Sequence, residues 1–146
     1  MSGPARRERL RAEAPRKSVH MGAGLIALAL PWLTRDLALA AAALAFVGNL
    51  LWWRFRRDAG VFRPGESALG GIVLYPLVVF AAIALLPYPG GAMTVWAVLA
   101  FGDASATLAG MTFGGPHWTH APKKTLVGSL ACLLVGGLVA TAYLMV

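Results

Sequence analysis

Charge is scarce in this chain of 146 residues: Asp, Glu, Lys and Arg together make up only 13%, where a soluble domain carries roughly 25%. The single cysteine, Cys132, excludes a disulfide framework and a metal–thiolate cluster. Its place inside an apolar run makes it a small buried hydrophobe. No sequence repeat is long enough to suggest two inverted halves. A Gly-x-x-x-x-Gly-Lys-Ser/Thr segment is missing before the Lys123-Lys124 pair, so that pair does not belong to a P-loop. The first apolar run lacks a clean small-residue cleavage pattern after it, so it is expected to be a retained helix rather than a secretory leader.

Long apolar runs stand where the charge is missing. Hydrophobic residues reach 58% and the mean hydropathy is +0.68, the signature of transmembrane helices. Five runs are expected to cross a bilayer: Val19 to Leu33, Leu37 to Trp53, Leu69 to Leu86, Ala92 to about Met111, and Leu126 to Val146. The expected fold is therefore all-α, a polytopic bundle of about five helices. Residues 1–17 form a basic cytosolic lead-in with room for helix, and residues 18–146 form the membrane domain. Trp52 and Trp53, next to Arg54, Arg56 and Arg57, read as an interfacial anchor with the rings at the headgroups and the charges in water.

The net charge of +7 does not point to nucleic acid, because the basic residues are clustered at the ends of apolar runs. Six Lys and Arg lie before the first run, four between Arg54 and Arg63, and two at Lys123-Lys124, with Arg35 alone on the opposite flanks. The positive-inside rule then places the amino end, the Arg54–Ser67 loop and the Gly114–Thr125 loop in the cytoplasm.

Three polar groups fall on that one face: Arg16-Lys17-x-x-His20, Arg63-Pro-Gly-Glu66, and Asp103 with Lys123-Lys124-Thr125. Asp103 lies inside an apolar run, where an ionisable group costs about 2.5–3.5 kcal/mol on insertion scales and by default marks a functional site. An ionised carboxylate at such a place needs a divalent cation or a nearby Lys or Arg. Asp103, Thr107, Gly110 and Gly114 recur at spacings of four, three and four and share one helix face. Glycines there permit close helix–helix approach, or let a phosphate or lipid headgroup near the backbone. Lys123 and Lys124 are expected to open the last helix, with Thr125, Gly128 and Ser129 offering backbone N–H groups to phosphate. Arg16 and His20 share a face if helical. Glu66 beside Arg63 reads as a surface ion pair worth little. His117 and His120 have no further Cys or carboxylate nearby to complete a metal set.

These residues resemble a known family, the integral-membrane CTP-dependent lipid kinases, which include dolichol kinase, phytol kinase and the yeast-type diacylglycerol kinase and are related to phosphatidate cytidylyltransferases. The likeness rests on Arg16-Lys17-x-x-His20, on Gly65-Glu66 with Gly70-Gly71 and Tyr75-Pro76, and on Phe101-Gly-Asp-Ala-Ser-Ala through Gly110 and Phe113-Gly114. Pro122-Lys-Lys-Thr and Gly128-Ser129 complete it. It spans residues 16 to 129, and its third block is the most specific.

The resemblance implies Mg²⁺-dependent transfer of the γ-phosphate of CTP to the hydroxyl of a polyprenol, a phytol-like alcohol or diacylglycerol. Asp103 matches the acidic position and would hold Mg²⁺, with Glu66 as a second ligand, or orient the lipid hydroxyl. Arg16, Lys17, Lys123 and Lys124 match the basic positions that clamp the triphosphate. His20, Gly110, Gly114, Thr125, Gly128 and Ser129 would line the nucleotide site. The expected partners are CTP, the lipid alcohol and the surrounding membrane lipids, and Gly-rich faces suit a homodimer.

The cytidylyltransferase branch carries a further Lys-Asp motif that has no counterpart here, which favours a kinase over a CDP-lipid synthase. Relatives also run longer after the Lys-Lys-Thr block, so a minimal member, a truncated one or an inactive remnant is expected. The remaining alternative is a non-catalytic membrane protein that binds or scaffolds lipids.

Overall fold

A computed structural model describes residues 3–56 and 71–145. The described chain is mostly helical. Its elements are α1 (Gly3–Leu25), a 3₁₀ segment (Ile26–Trp32), α2 (Arg35–Arg56), α3 (Gly71–Leu85), α4 (Gly90–Ala97), a π-helical segment (Val98–Gly102) and α5 (Asp103–Phe113). A short hairpin of β1 (His117–Trp118) and β2 (Ala121–Thr125) leads into α6 (Leu126–Leu144).

Three stretches are long and apolar enough to cross a membrane: Arg35–Phe55, Gly90–Phe113 and Leu126–Leu144, of 21, 24 and 19 residues. At about 1.5 Å per residue, each approaches or exceeds the roughly 30 Å of a hydrocarbon core. The other two predicted runs behave differently. The third forms the shorter apolar helix α3, of 15 residues. The first is divided between the end of α1 and the 3₁₀ segment, which carries Pro31. The charged lead-in is itself helical, since α1 runs through Pro15.

The chain divides into two compact units, one of Ala29–Ala92 and one of Met1–Leu28 with Met93–Val146. In the first, Thr34 caps α2: its carbonyl accepts from Ala38 N–H at 3.0 Å and its hydroxyl lies 3.4 Å from Leu37 N. Asp36 in the first turn suits the positive end of the helix dipole. Arg35 closes the far end of α3. Its Nε donates to the Ile83 carbonyl at 2.9 Å and its Nη2 to the Ala84 carbonyl at 2.6 Å. The start of α2 thus meets the end of α3, so the two helices run antiparallel. Tyr88 Oη lies 2.8 and 2.9 Å from the carbonyl oxygens of Leu30 and Leu33, sharing its proton between them. Burial pushes the Tyr88 phenol above the usual tyrosine value. Leu30, Ala38, Ala42, Val73, Val79, Ala82 and Ile83 form this unit's core.

The second unit is held by α5 and α6, packed through small residues on both sides. Gly102, Ala106 and Gly110 face Gly128, Cys132 and Gly136, each set spaced by four so that it forms one stripe. A Cβ at Gly128 would stand 2.7 Å from the Ala106 carbonyl oxygen, and one at Gly110 would stand 2.8 Å from Thr125 Oγ1. Ser105 Oγ bridges the helices, 2.8 Å from the Gly102 carbonyl and 3.2 Å from that of Ala131. The loop predicted between the last two runs contains the hairpin, with His117 opposite Thr125 and Trp118 opposite Ala121.

Candidate functional site

Asp103 begins α5 where the π-helical segment ends. Such segments widen the helix by one residue, disturb the carbonyl ladder and occur often at functional positions. The side chain that meets Asp103 comes from α1. Lys17 Nζ donates to Asp103 Oδ2 at 2.5 Å, across 86 residues of sequence. The Lys17 side chain is 11% exposed while that of Asp103 is 47% exposed. The pair is thus closed on the lysine side and open on the carboxylate side. One turn along α1, His20 Nε2 stands 4.0 Å from the same Oδ2. The His20 ring also meets the backbone of Leu99 inside the π segment.

Further cations surround this centre. Lys124 lies within electrostatic reach of Asp103, and Arg16 within reach of His20. Lys123 and Lys124 do not open the last helix as predicted but lie exposed on β2. The hairpin register is irregular over this stretch, and of the two lysines it is Lys124 that acts electrostatically on Asp103. The reason is local. Thr125 is extended (φ −103°, ψ 150°), which makes it the cap rather than the interior of α6.

The residues expected to cradle phosphate at the start of α6 are engaged within the protein. Thr125 Oγ1 accepts from Gly128 N–H at 3.0 Å, and Ser129 Oγ donates to the Thr125 carbonyl at 3.2 Å. Trp118 Nε1 donates to Ser129 Oγ at 2.9 Å, a contact the sequence carried no signal for. Gly110 and Gly128 face each other's helices across the α5–α6 seam, so the open backbone reserved for a ligand is filled by protein atoms. Gly114 ends α5 instead of extending its polar face: its φ is +69° and its N–H donates to the Gly110 carbonyl at 3.1 Å. That left-handed conformation is the one glycine adopts without strain. His120 Nδ1 lies 3.1 Å from Thr119 Oγ1 in the hairpin turn. Glu66, with Arg63, Gly65 and Gly70, lies outside the described residues.

Magnesium takes oxygen ligands and usually keeps several waters. Among the described residues no three His, Cys, Asp or Glu come together, and Oδ2 of Asp103 carries the Lys17 ammonium. Glu66, the second carboxylate expected for a divalent cation, lies outside the described residues. The described residues form a half-open carboxylate held by Lys17, with His20 beside it and Lys124 within electrostatic reach, a site that suits an anion bringing its own counter-ion.

No family model, no curated protein and no solved structure matches the chain.

Proposed function

We propose that the chain is a multi-pass membrane phosphotransferase that moves the γ-phosphate of CTP to the hydroxyl of a long-chain lipid alcohol, whether polyprenol, phytol-like alcohol or diacylglycerol. The observation that carries this reading is the Lys17–Asp103 pair with His20 beside it, set on a helix of membrane-spanning length with the carboxylate half-exposed. A carboxylate at that depth is expensive, and an ion pair that leaves it open to an outside molecule is the arrangement expected of a site.

Phosphoryl transfer asks chiefly for positioning and for cationic stabilisation of the phosphoryl oxygens. Asp103 accepts a hydrogen bond from the lipid hydroxyl and orients its oxygen on the γ-phosphorus. The new O–P bond forms as the bond to the β-phosphate oxygen breaks, the hydroxyl proton passes to Asp103, and CDP leaves. Lys17, Lys124 and Arg16 lower the energy of the oxygens that gather charge. His20, steadied by Leu99, keeps Asp103 and Lys17 in register. Magnesium enters with CTP as the counter-ion of the substrate. The distribution of Lys and Arg puts the amino end and the hairpin on the cytoplasmic side of the cell membrane, where CTP is met.

The test is label transfer in mixed detergent–lipid micelles. CTP labelled at the γ-phosphate is offered with Mg²⁺ and, in turn, polyprenol, phytol, geranylgeraniol and diacylglycerol, with ATP as the control donor. Label is expected in one lipid class, from CTP alone. Label from α-labelled CTP in a CDP-lipid made from phosphatidic acid would replace the kinase reading with the synthase. Silence in every arm would leave a lipid-binding or scaffold protein.

A further inference from the structure

The Lys17–Asp103 contact joins two helices, so something must set how far α1 slides along α5. Lys17, His20 and Gly24 are spaced by three and four and share one face of α1. The upper two meet Asp103. Gly24 lies roughly 10 Å further along the axis at the helical rise, and there the docking is tight. A Cβ on Gly24 would collide with the Ala100 side chain and stand 3.1 Å from Phe101 Cε2.

At that point α1 ends and the 3₁₀ segment begins. A change of helix type in an apolar medium weakens the bonding of the carbonyls there and favours a donor from elsewhere. Tyr143 answers this from the far end of α6. Its hydroxyl donates to the Gly24 carbonyl at 3.1 Å, a buried bond spanning 119 residues. Its ring sits edge-on to Phe101, centroids 6.4 Å apart, and the whole residue is only 7% exposed. Phe101 in turn is two residues before Asp103.

We propose that Tyr143 is a positioning residue. Its hydroxyl clamps the end of α1 against the π segment and so holds Lys17 and His20 on Asp103. The consequence for turnover rests on the phosphotransferase reading; the consequence for geometry does not.

The experiment uses the full chain in membranes, in a Cys132→Ala background. Lys17→Cys with Asp103→Cys is bridged by a short bis-methanethiosulfonate reagent, and the rate is followed as loss of maleimide-reactive thiol. Ser105→Cys with Ala131→Cys, which reports the α5–α6 seam, is the reference pair. Adding Tyr143→Phe keeps the ring and removes one buried hydrogen bond, whose loss shifts a population by about fivefold. Bridging of the first pair is therefore expected to slow about fivefold while the second pair is unchanged. Gly24→Ala, which pushes α1 off Ala100, should slow the first pair at least as much.

An unchanged first pair would overturn the proposal. So would equal slowing of both pairs, because that reports general loosening. With the native Lys17 and Asp103 restored, Tyr143→Phe should also lower the transfer rate about fivefold. Selective slowing of the first pair in a protein that transfers no label, even with Tyr143 intact, keeps the positioning role and rejects the reaction.

Discussion

In the unit of Ala29–Ala92, Arg35 gives its guanidinium to backbone carbonyls at the end of α3. In the unit of Met1–Leu28 with Met93–Val146, Lys17 gives its ammonium to a carboxylate. Both solve the problem of a charge among apolar helices, but they leave different residues behind. Arg35 supplies donors to carbonyls at a helix end, and Tyr88 shares its proton between two more; these contacts are spent on the protein's own backbone. A carboxylate can accept about four hydrogen bonds, and the contact with Lys17 uses part of that capacity on a group that stays 47% exposed. The contrast separates polar side chains that complete a fold from those that are held ready. It also shows why sequence alone scores them alike, since each is a lone charge at the edge or middle of an apolar run.

The contrast breaks most sharply at Asp103. Asp103→Asn keeps the shape and removes the charge, and label transfer is expected to fall by at least about 100-fold, the scale of losing one group aligned with the reacting atoms. A variant that retains its rate would move Asp103 to the structural class. Next, Lys124→Gln should lower the rate by about tenfold, or roughly 1.4 kcal/mol. Lys123→Gln should change it much less, since Lys124 is the one that acts on Asp103; equal losses would show that the hairpin does not divide the pair.

Smaller effects concern stability and leave the rate per folded molecule nearly intact. Gly128→Ala drives a methyl toward the Ala106 carbonyl and should cost about 1–3 kcal/mol through overpacking of the α5–α6 seam, read by thermal unfolding in detergent. Arg35→Met leaves the α3 carbonyls without their charged donor and should cost about 2 kcal/mol. Arg35→Lys should recover only part of it, because an ammonium lacks the fork that reaches two carbonyls together.

Tyr88→Phe is the mildest, about 1 kcal/mol, and carries a pH signature. Burial raises the folded-state value of the Tyr88 phenol, so its contribution is complete below the ordinary tyrosine value of about 10 and is lost as pH rises through the higher folded value. The phenylalanine variant should lose that part of the alkaline destabilisation.

Much of the helical order is legible in the residues. The run Leu126 to Val146 becomes α6 (Leu126–Leu144), and Ala92 to Met111 becomes the continuous stretch Gly90–Phe113, because an apolar segment of that length has few other ways to satisfy its backbone. The division of the first run was less visible: Gly22, Gly24 and Pro31 lie within it, but where they break it depends on what packs there. The hairpin between α5 and α6 was hidden because its strands are short and its exposed lysines carry no alternation. Within the site, Asp103 stands out as a carboxylate inside an apolar run, and Lys17 and His20 as polar residues at the start of another. The phosphate cradle expected of Gly110, Gly128 and Thr125 did not appear, since glycine spacing that admits a ligand equally admits a neighbouring helix.

Sequence by itself determined that this chain is mostly helical, that it carries long apolar stretches, and that Asp103 is an unusual charge requiring a partner. Those properties follow from local composition and hydrogen-bonding need. That three of the five expected runs form helices of membrane-crossing length came from the structure. Only the tertiary structure decided that the partner is Lys17, that Gly128 serves packing and that Tyr143 reaches the Gly24 carbonyl. Such contacts join residues 86 and 119 positions apart, and they exist only once helices have chosen which faces to bury against each other.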